Sequence, residues 1–299
     1  MNKVLAILSF IFLTDDKSRP RAGWRILIAG FLTVQLFNIV NAISGPTSGY
    51  GDAVIVSTTI FLTRHFVDKR SIASLGLRLN KQTVLDLLTG FGISLILMAA
   101  VYGIEYALGW LKFESFAWQN EQPSVVIWQT LNSIVEHTVG AYKEELVDRG
   151  YMLQTIASGL NLPLAALITS ISFGIGHLAN PNSSWLAATG ITFLALLLVY
   201  GYIRTRQLWL PIGLHAGWNI FQRSLGFPVS GYELSGLLKI NVSGPELWTG
   251  GAFGPEAGLI ILPICILGAL LIHRFTRQHE HVADPDIEHR PTQQPAHLA

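Results

Sequence analysis

Apolar residues fill the chain in long blocks, and polar positions separate them at intervals. Roughly 20 consecutive apolar residues cross the hydrocarbon core of a bilayer as a helix. Blocks of that order recur at 24–43, 53–67, 84–109, 124–158, 163–179, 187–203, 209–225 and 257–273. The pattern predicts an all-α, polytopic membrane helix bundle of about eight transmembrane helices. The fourth block is too long for one simple crossing. Val4 to Leu13 is too short to span, ends at Asp15-Asp16 without a small-residue cleavage site and precedes Lys17, Arg19 and Arg21. It reads as an interfacial helix rather than a signal peptide. Residues 226–256 are rich in glycine and proline and read as the longest loop, on the outer side. From Gln278 the chain is polar and carries Pro285, Pro291 and Pro295, the pattern of a disordered tail. The expected organisation is an interfacial segment 1–23, a transmembrane domain 24–277 and a tail 278–299.

Composition agrees with the bilayer as solvent. Of 299 residues, 13% are charged, against about 25% in ordinary soluble domains. A net charge of +1 gives no reason to expect a nucleic-acid partner. With eight spans and a cytoplasmic N-terminus, 17 of the 20 Lys and Arg residues fall on the inner side, leaving Lys112, Arg223 and Lys239 outside. That split orients the chain with both termini cytoplasmic, and the expected location is a bacterial inner or plasma membrane. Cys265 is the single cysteine, so neither an internal disulfide nor a CxxC site can form. No internal repeat of the kind found in many transporters is visible.

Ionisable groups inside such blocks cost roughly 2.5–3.5 kcal/mol each on insertion scales, so they need a reason. The densest cluster is Lys143-Glu144-Glu145-Leu146-Val147-Asp148-Arg149. It is either an inner loop or part of a continuous helix, and the apolar flanks and the lack of proline over 124–158 favour the helix. There Glu145 and Arg149 pair at i, i+4, and Glu144, about 100° round, faces a cavity. His177 in Phe173-Gly174-Ile175-Gly176-His177 is, taken alone, a structural hydrogen-bonding residue more often than a catalyst. His215 and Asn219 share one helix face, with Ala216 and Gly217 between them to let a neighbour approach. The short Ser158 to Pro163 loop makes a helical hairpin that places Glu144 and His177 at one depth. The same arithmetic sets His215 shallower by roughly 12 Å. Glu136 and His137, two turns before Glu144, are weaker candidates. Arg64 and His65, at an inner span end, are expected to snorkel.

A carboxylate, two imidazoles and an amide in an apolar shell suit hydrolysis. Glu144 can serve as general base to water. His177 can orient that water or, with His215 and Glu144, hold a divalent ion. His215 and Asn219 can instead donate to the oxyanion of a tetrahedral intermediate. No HExxH, GxSxG or cysteine nucleophile competes with these readings.

With these sites in place, the chain resembles the CPBP family of intramembrane proteases, the type II CAAX endopeptidase and bacteriocin-processing (Abi-like) group. The family pattern is EExxxR, FxxxH and HxxxN, met here by Glu144-Glu145 with Arg149, by Phe173 with His177, and by His215 with Asn219. The similarity covers roughly 60–225, including Ser74-Leu75-Gly76-Leu77 before the third span. It implies an eight-helix fold and hydrolysis of peptide bonds in membrane-associated proteins or peptides. Glu144 and His177 would activate water, His215 and Asn219 would act as metal ligand or oxyanion stabilisers, and Glu145, Arg149 and Phe173 would support them. Zinc on Glu144, His177 and His215 and a metal-free, glutamate-activated water both stay open. A non-catalytic immunity or scaffold protein of the same fold is the main alternative, with a proton-relay transporter behind it.

Overall fold

The computed structural model describes residues 13–14 and 18–277. The interfacial helix expected at Val4 to Leu13 and the tail from Gln278, with its histidines, lie outside the described residues, apart from Leu13 itself. Helices α1 (Ala22–Ser44), α2 (Gly49–Leu62) and α3 (Lys81–Ala107) come first, α2 running on into a π-helical turn, Thr63–Val67. Helix α4 (Pro123–Glu145) continues without a break through a π-helical segment, Leu146–Leu153, into α5 (Gln154–Gly159). Then follow α6 (Leu162–Gly176) with a 3-10 turn at His177–Ala179, α7 (Trp185–Thr205), α8 (Trp209–Ser224), the short α9 (Glu246–Thr249) and α10 (Ile261–Phe275).

Each of the eight apolar blocks contains a helix, and the fold is a polytopic helical membrane bundle. Four described helical segments are long and apolar enough to cross a membrane: Ala22–Ser44, Lys81–Ala107, Leu162–Ala179 and Trp185–Thr205. Helix starts are written locally. The Asn80 side chain accepts from the amides of Gln82 and Thr83, and Thr83 Oγ1 accepts from the Asn80 amide, a capping box for α3. Asn161 and Ser184 cap α6 and α7 in the same sense.

Helix α3 lies closest to α8, and glycine makes this possible. A Cβ on Gly213 would stand 2.1 Å from the Leu87 carbonyl oxygen, and one on Gly90 would stand 2.2 Å from that of Leu210. Backbone contact of this kind replaces the hydrophobic drive that lipid does not supply. Around it Leu97, Met98, Val101, Leu214, Trp218 and Ile264 form the main core.

One short sheet joins the helices and one expectation needs correction. Between the helices β1 (Leu111–Phe116) pairs antiparallel with β2 (Leu238–Val242), with an irregularity between Phe113 and Ser115. Both strands are short and alternating, so a search for long apolar blocks passes over them. Arg64 does not snorkel. It is 1% exposed and reaches Asp68 at 3.2 Å, Ser74 and Gln154, while His65 beside it is exposed.

Candidate active site

The π-helical segment begins directly after Glu145 and contains Arg149. Such segments widen a helix locally and recur at functional sites. Arg149 Nη1 donates to Glu145 Oε1 at 2.9 Å, the i, i+4 pair expected from the spacing. The same oxygen takes a second bond, at 2.8 Å, from His215 Nδ1 on α8. Arg149 Nη2 donates to the Ala195 carbonyl on α7 at 3.1 Å, and its guanidinium lies 4.9 Å from the centre of the Phe173 ring on α6. Glu145 and Arg149 are fully buried. One ion pair thus ties the helices that carry all three motifs, and Phe173 packs against Arg149, His177 and His215.

Glu144, one residue earlier, points elsewhere. Its side chain is 37% exposed, with Oε2 3.7 Å from His215 Nε2. His215 is therefore held through Nδ1 by the buried glutamate and presents Nε2 towards the exposed one. A carboxylate on one imidazole nitrogen fixes the tautomer and the ring orientation. His177 is oriented similarly by its Nδ1, 2.8 Å from the Phe173 carbonyl oxygen, which leaves Nε2 available.

Glu144, His177, His215 and Asn219 all line one open cavity of about 560 Å³. The 12 Å offset expected for His215 does not exist, and the turn before α8 explains why. That turn does not sit at the bundle's end: Leu208 is fully buried, donates its amide to Gly76 O at 2.8 Å, and packs on Gly150. Counted from this contact, Glu144 is six residues before Gly150 and His215 seven after Leu208. At 1.5 Å per residue both rise by about 10 Å.

The weaker candidates divide. His137 lines the cavity, and its Nε2 is buried without a hydrogen-bond partner, whereas Glu136 turns to Arg223 at 3.9 Å. Asp148, noted in the sequence only as part of the charged cluster, also lines the cavity. Among the described residues no three His, Cys, Asp or Glu side chains stand close enough together to hold a metal ion. The proposed ligand set of Glu144, His177 and His215 therefore does not fit a metal as arranged.

Sequence reading missed Glu256. It is 2% exposed and accepts from Trp218 Nε1 at 3.1 Å, from the Ser230 amide at 2.7 Å and from Ser230 Oγ at 3.0 Å. These bonds join the helix of His215 and Asn219 to the loop that walls the cavity through Val229, Ser230 and Tyr232. Asn180 Nδ2 donates to the Ser230 carbonyl and secures the same loop from the His177 side. Burial pushes the Glu256 carboxyl above its ordinary range, against the opposing pull of His177 and of the Ser230 donors. The only signal in the sequence was an acidic residue at the mouth of the last apolar block.

This constellation has relatives. Residues 126–221 match the family described as type II CAAX prenyl endopeptidase Rce1-like, and all seven motif residues fall inside that range. Two proteins of Bacillus subtilis (strain 168) are similar to the chain. One, named "Putative membrane peptidase YdiL", is 31% identical over 141 residues, 46% of this chain and 54% of the relative. The other, "Uncharacterized protein YyaK", is 28% identical over 166 residues, 54% of each. The chain thus spans about half the length of the curated relatives it matches. Over that segment the matches support the resemblance to the CPBP family of intramembrane proteases.

Proposed function

We propose that the chain is an intramembrane endopeptidase that cleaves membrane-associated proteins or peptides with a water activated by Glu144 and His177. The observation that carries this reading is the contrast between two adjacent glutamates. Glu145 is fully buried with its Oε1 held by Arg149 and His215, while Glu144 faces a cavity shared with both histidines and Asn219. In the proposed reaction Glu144 takes a proton from water as the oxygen attacks the scissile carbonyl, and His177 Nε2 orients that water. The carbonyl oxygen becomes an oxyanion that accepts from the Asn219 amide and from a doubly protonated His215. Glu144 then returns the proton to the leaving amine as the C–N bond breaks. Glu145, Arg149 and Phe173 hold the geometry.

The proposed reaction runs on side chains alone, with no three-donor metal site gathered among the described residues. A bacterial plasma membrane with both termini cytoplasmic is the proposed setting, supported by the 17-to-3 division of basic residues.

The test is cleavage of a peptide library by the purified full-length protein in proteoliposomes. Glu144→Ala and His177→Ala are expected to lower cleavage by about 10²–10⁴-fold, the range of a lost general base. Chelation is expected to leave it unchanged. Undiminished cleavage by both variants would falsify the catalytic assignment and favour a scaffold role for these helices.

A further inference from the structure

Asp148 faces the large cavity and has no task in the proposed reaction. It follows Glu144 by four residues, and both line the same space although the π-helical segment begins between them. Its carboxylate is partly buried and makes neither a hydrogen bond nor an ion pair among the described residues. The adjacent Arg149 acts on it only through space, having turned Nη1 to Glu145 and Nη2 to the Ala195 carbonyl. No lysine or arginine is among the residues that line the cavity.

Formal charge makes this residue conspicuous. Glu145 and Arg149 cancel each other, and the doubly protonated His215 of the proposed reaction balances Glu144. Among the carboxylates that line the cavity, Asp148 is then left over. A charge held in an apolar shell without a partner is costly. A cation brought by the substrate is the complement that the cavity lacks.

We infer that Asp148 is a specificity-determining residue that receives a lysine or arginine side chain of the substrate close to the scissile bond, an inference that rests on the proteolytic reading. An ammonium or guanidinium on a carboxylate makes a charge-assisted hydrogen bond, stronger than a neutral one. The step along the helix from Glu144 to Asp148 is about 6 Å, the length of about two residues of extended peptide. A basic side chain within two positions of the cleavage point therefore brings its charge to Asp148 while Glu144 keeps the water. The cavity, at about 560 Å³, has room for the peptide and that side chain together.

The experiment uses the full-length protein in proteoliposomes of zwitterionic lipid, with a peptide library carrying Lys, Met or Glu at each of three positions on either side of the cleavage point and products read by mass spectrometry. Wild type is expected to favour Lys over Met by about 10-fold or more at one position within two of the cleavage point, and to disfavour Glu there, as opposite and like charges do at a desolvated contact. Asp148→Asn should lower the Lys-to-Met ratio by about 10-fold, Asp148→Glu should keep most of it, and Asp148→Lys should turn the preference from Lys to Glu. Each readout is a ratio of kcat/KM within one preparation, so a less stable variant still reports it. A flat preference, or a ratio unmoved by both Asp148→Asn and Asp148→Lys, would overturn the subsite. So would a Lys preference of equal size at every position, which attraction to the vesicle surface alone would give. Glu144→Gln separates the two levels. Cleavage independent of Glu144 sinks the proteolytic reading, whereas Glu144-dependent cleavage with no preference for Lys sinks the role of Asp148 alone.

Discussion

Two buried charged networks stand among the described residues, and the second borders the cavity lined by Glu144, His177, His215 and Asn219. In the first, Asp68 receives Arg25 at 3.3 Å and Arg64 at 3.2 Å, both cations buried. Ser158, Ser74 and Gln154 take further guanidinium bonds. Tyr151 adds a bond to the Arg25 carbonyl. In the second, Glu145 receives Arg149 and His215. Each network borders a π-helical segment, Thr63–Val67 in one case and Leu146–Leu153 in the other. Buried charge and π geometry therefore do not by themselves mark a reactive site. The difference is a neighbour: beside the second network stand Glu144 and His177, which present polar atoms to a cavity of about 560 Å³. The first network fastens α1, the end of α2 and the π segment after α4 to one another, and the second does the same for α4, α7 and α8 while aiming His215.

Breaking the two networks should have different consequences. Asp68→Ala leaves two buried guanidinium groups without their carboxylate. Its expected cost is about 3–5 kcal/mol, the range for removing one partner of a buried pair, seen as a large fall in the thermal midpoint in detergent. Gly213→Ala tests the seat of the site rather than its charges. The new methyl meets the Leu87 carbonyl and is expected to cost about 1–3 kcal/mol, with lowered cleavage because α8 carries His215 and Asn219. Lys239→Ala removes an ion pair with Glu121 at 3.7 Å, 44% exposed on the lysine side. A change below about 1 kcal/mol is expected there, and a larger one would show that the strand pair contributes more to the fold than its surface position implies.

How much of this was legible in the sequence depends on whether the information is local. The pairing of Glu145 with Arg149, the continuity of the helix across 124–158 and the common face of His215 and Asn219 follow from helical periodicity, and the structure has all three. The placement of His215 does not, because it depends on Leu208 being drawn inward to Gly76 and Gly150, a contact between distant parts of the chain. Arg64 looked like a snorkelling residue although Asp68 and Ser74 lie only four and ten positions on, because the packing that buries it and brings Gln154 to it spans 90 positions. Glu256 was invisible as a site residue for the same reason: its partners Trp218 and Ser230 are 38 and 26 residues distant. The strands were lost between apolar blocks, since Lys239-Ile240-Asn241-Val242 alternates too briefly to register against a helical background.

The central claim is that Glu144 does chemistry while the deeper charges hold the fold. It is tested most directly by placing Glu144→Gln and Asp68→Asn side by side in proteoliposomes, measuring thermal midpoint and library cleavage for each. The predicted result for Glu144→Gln is an unchanged midpoint and cleavage reduced by about 10²-fold or more. For Asp68→Asn it is a lowered midpoint, with cleavage per folded molecule retained below it. Wild-type cleavage by Glu144→Gln, or a fall in its midpoint that matches the fall in cleavage, would contradict the account.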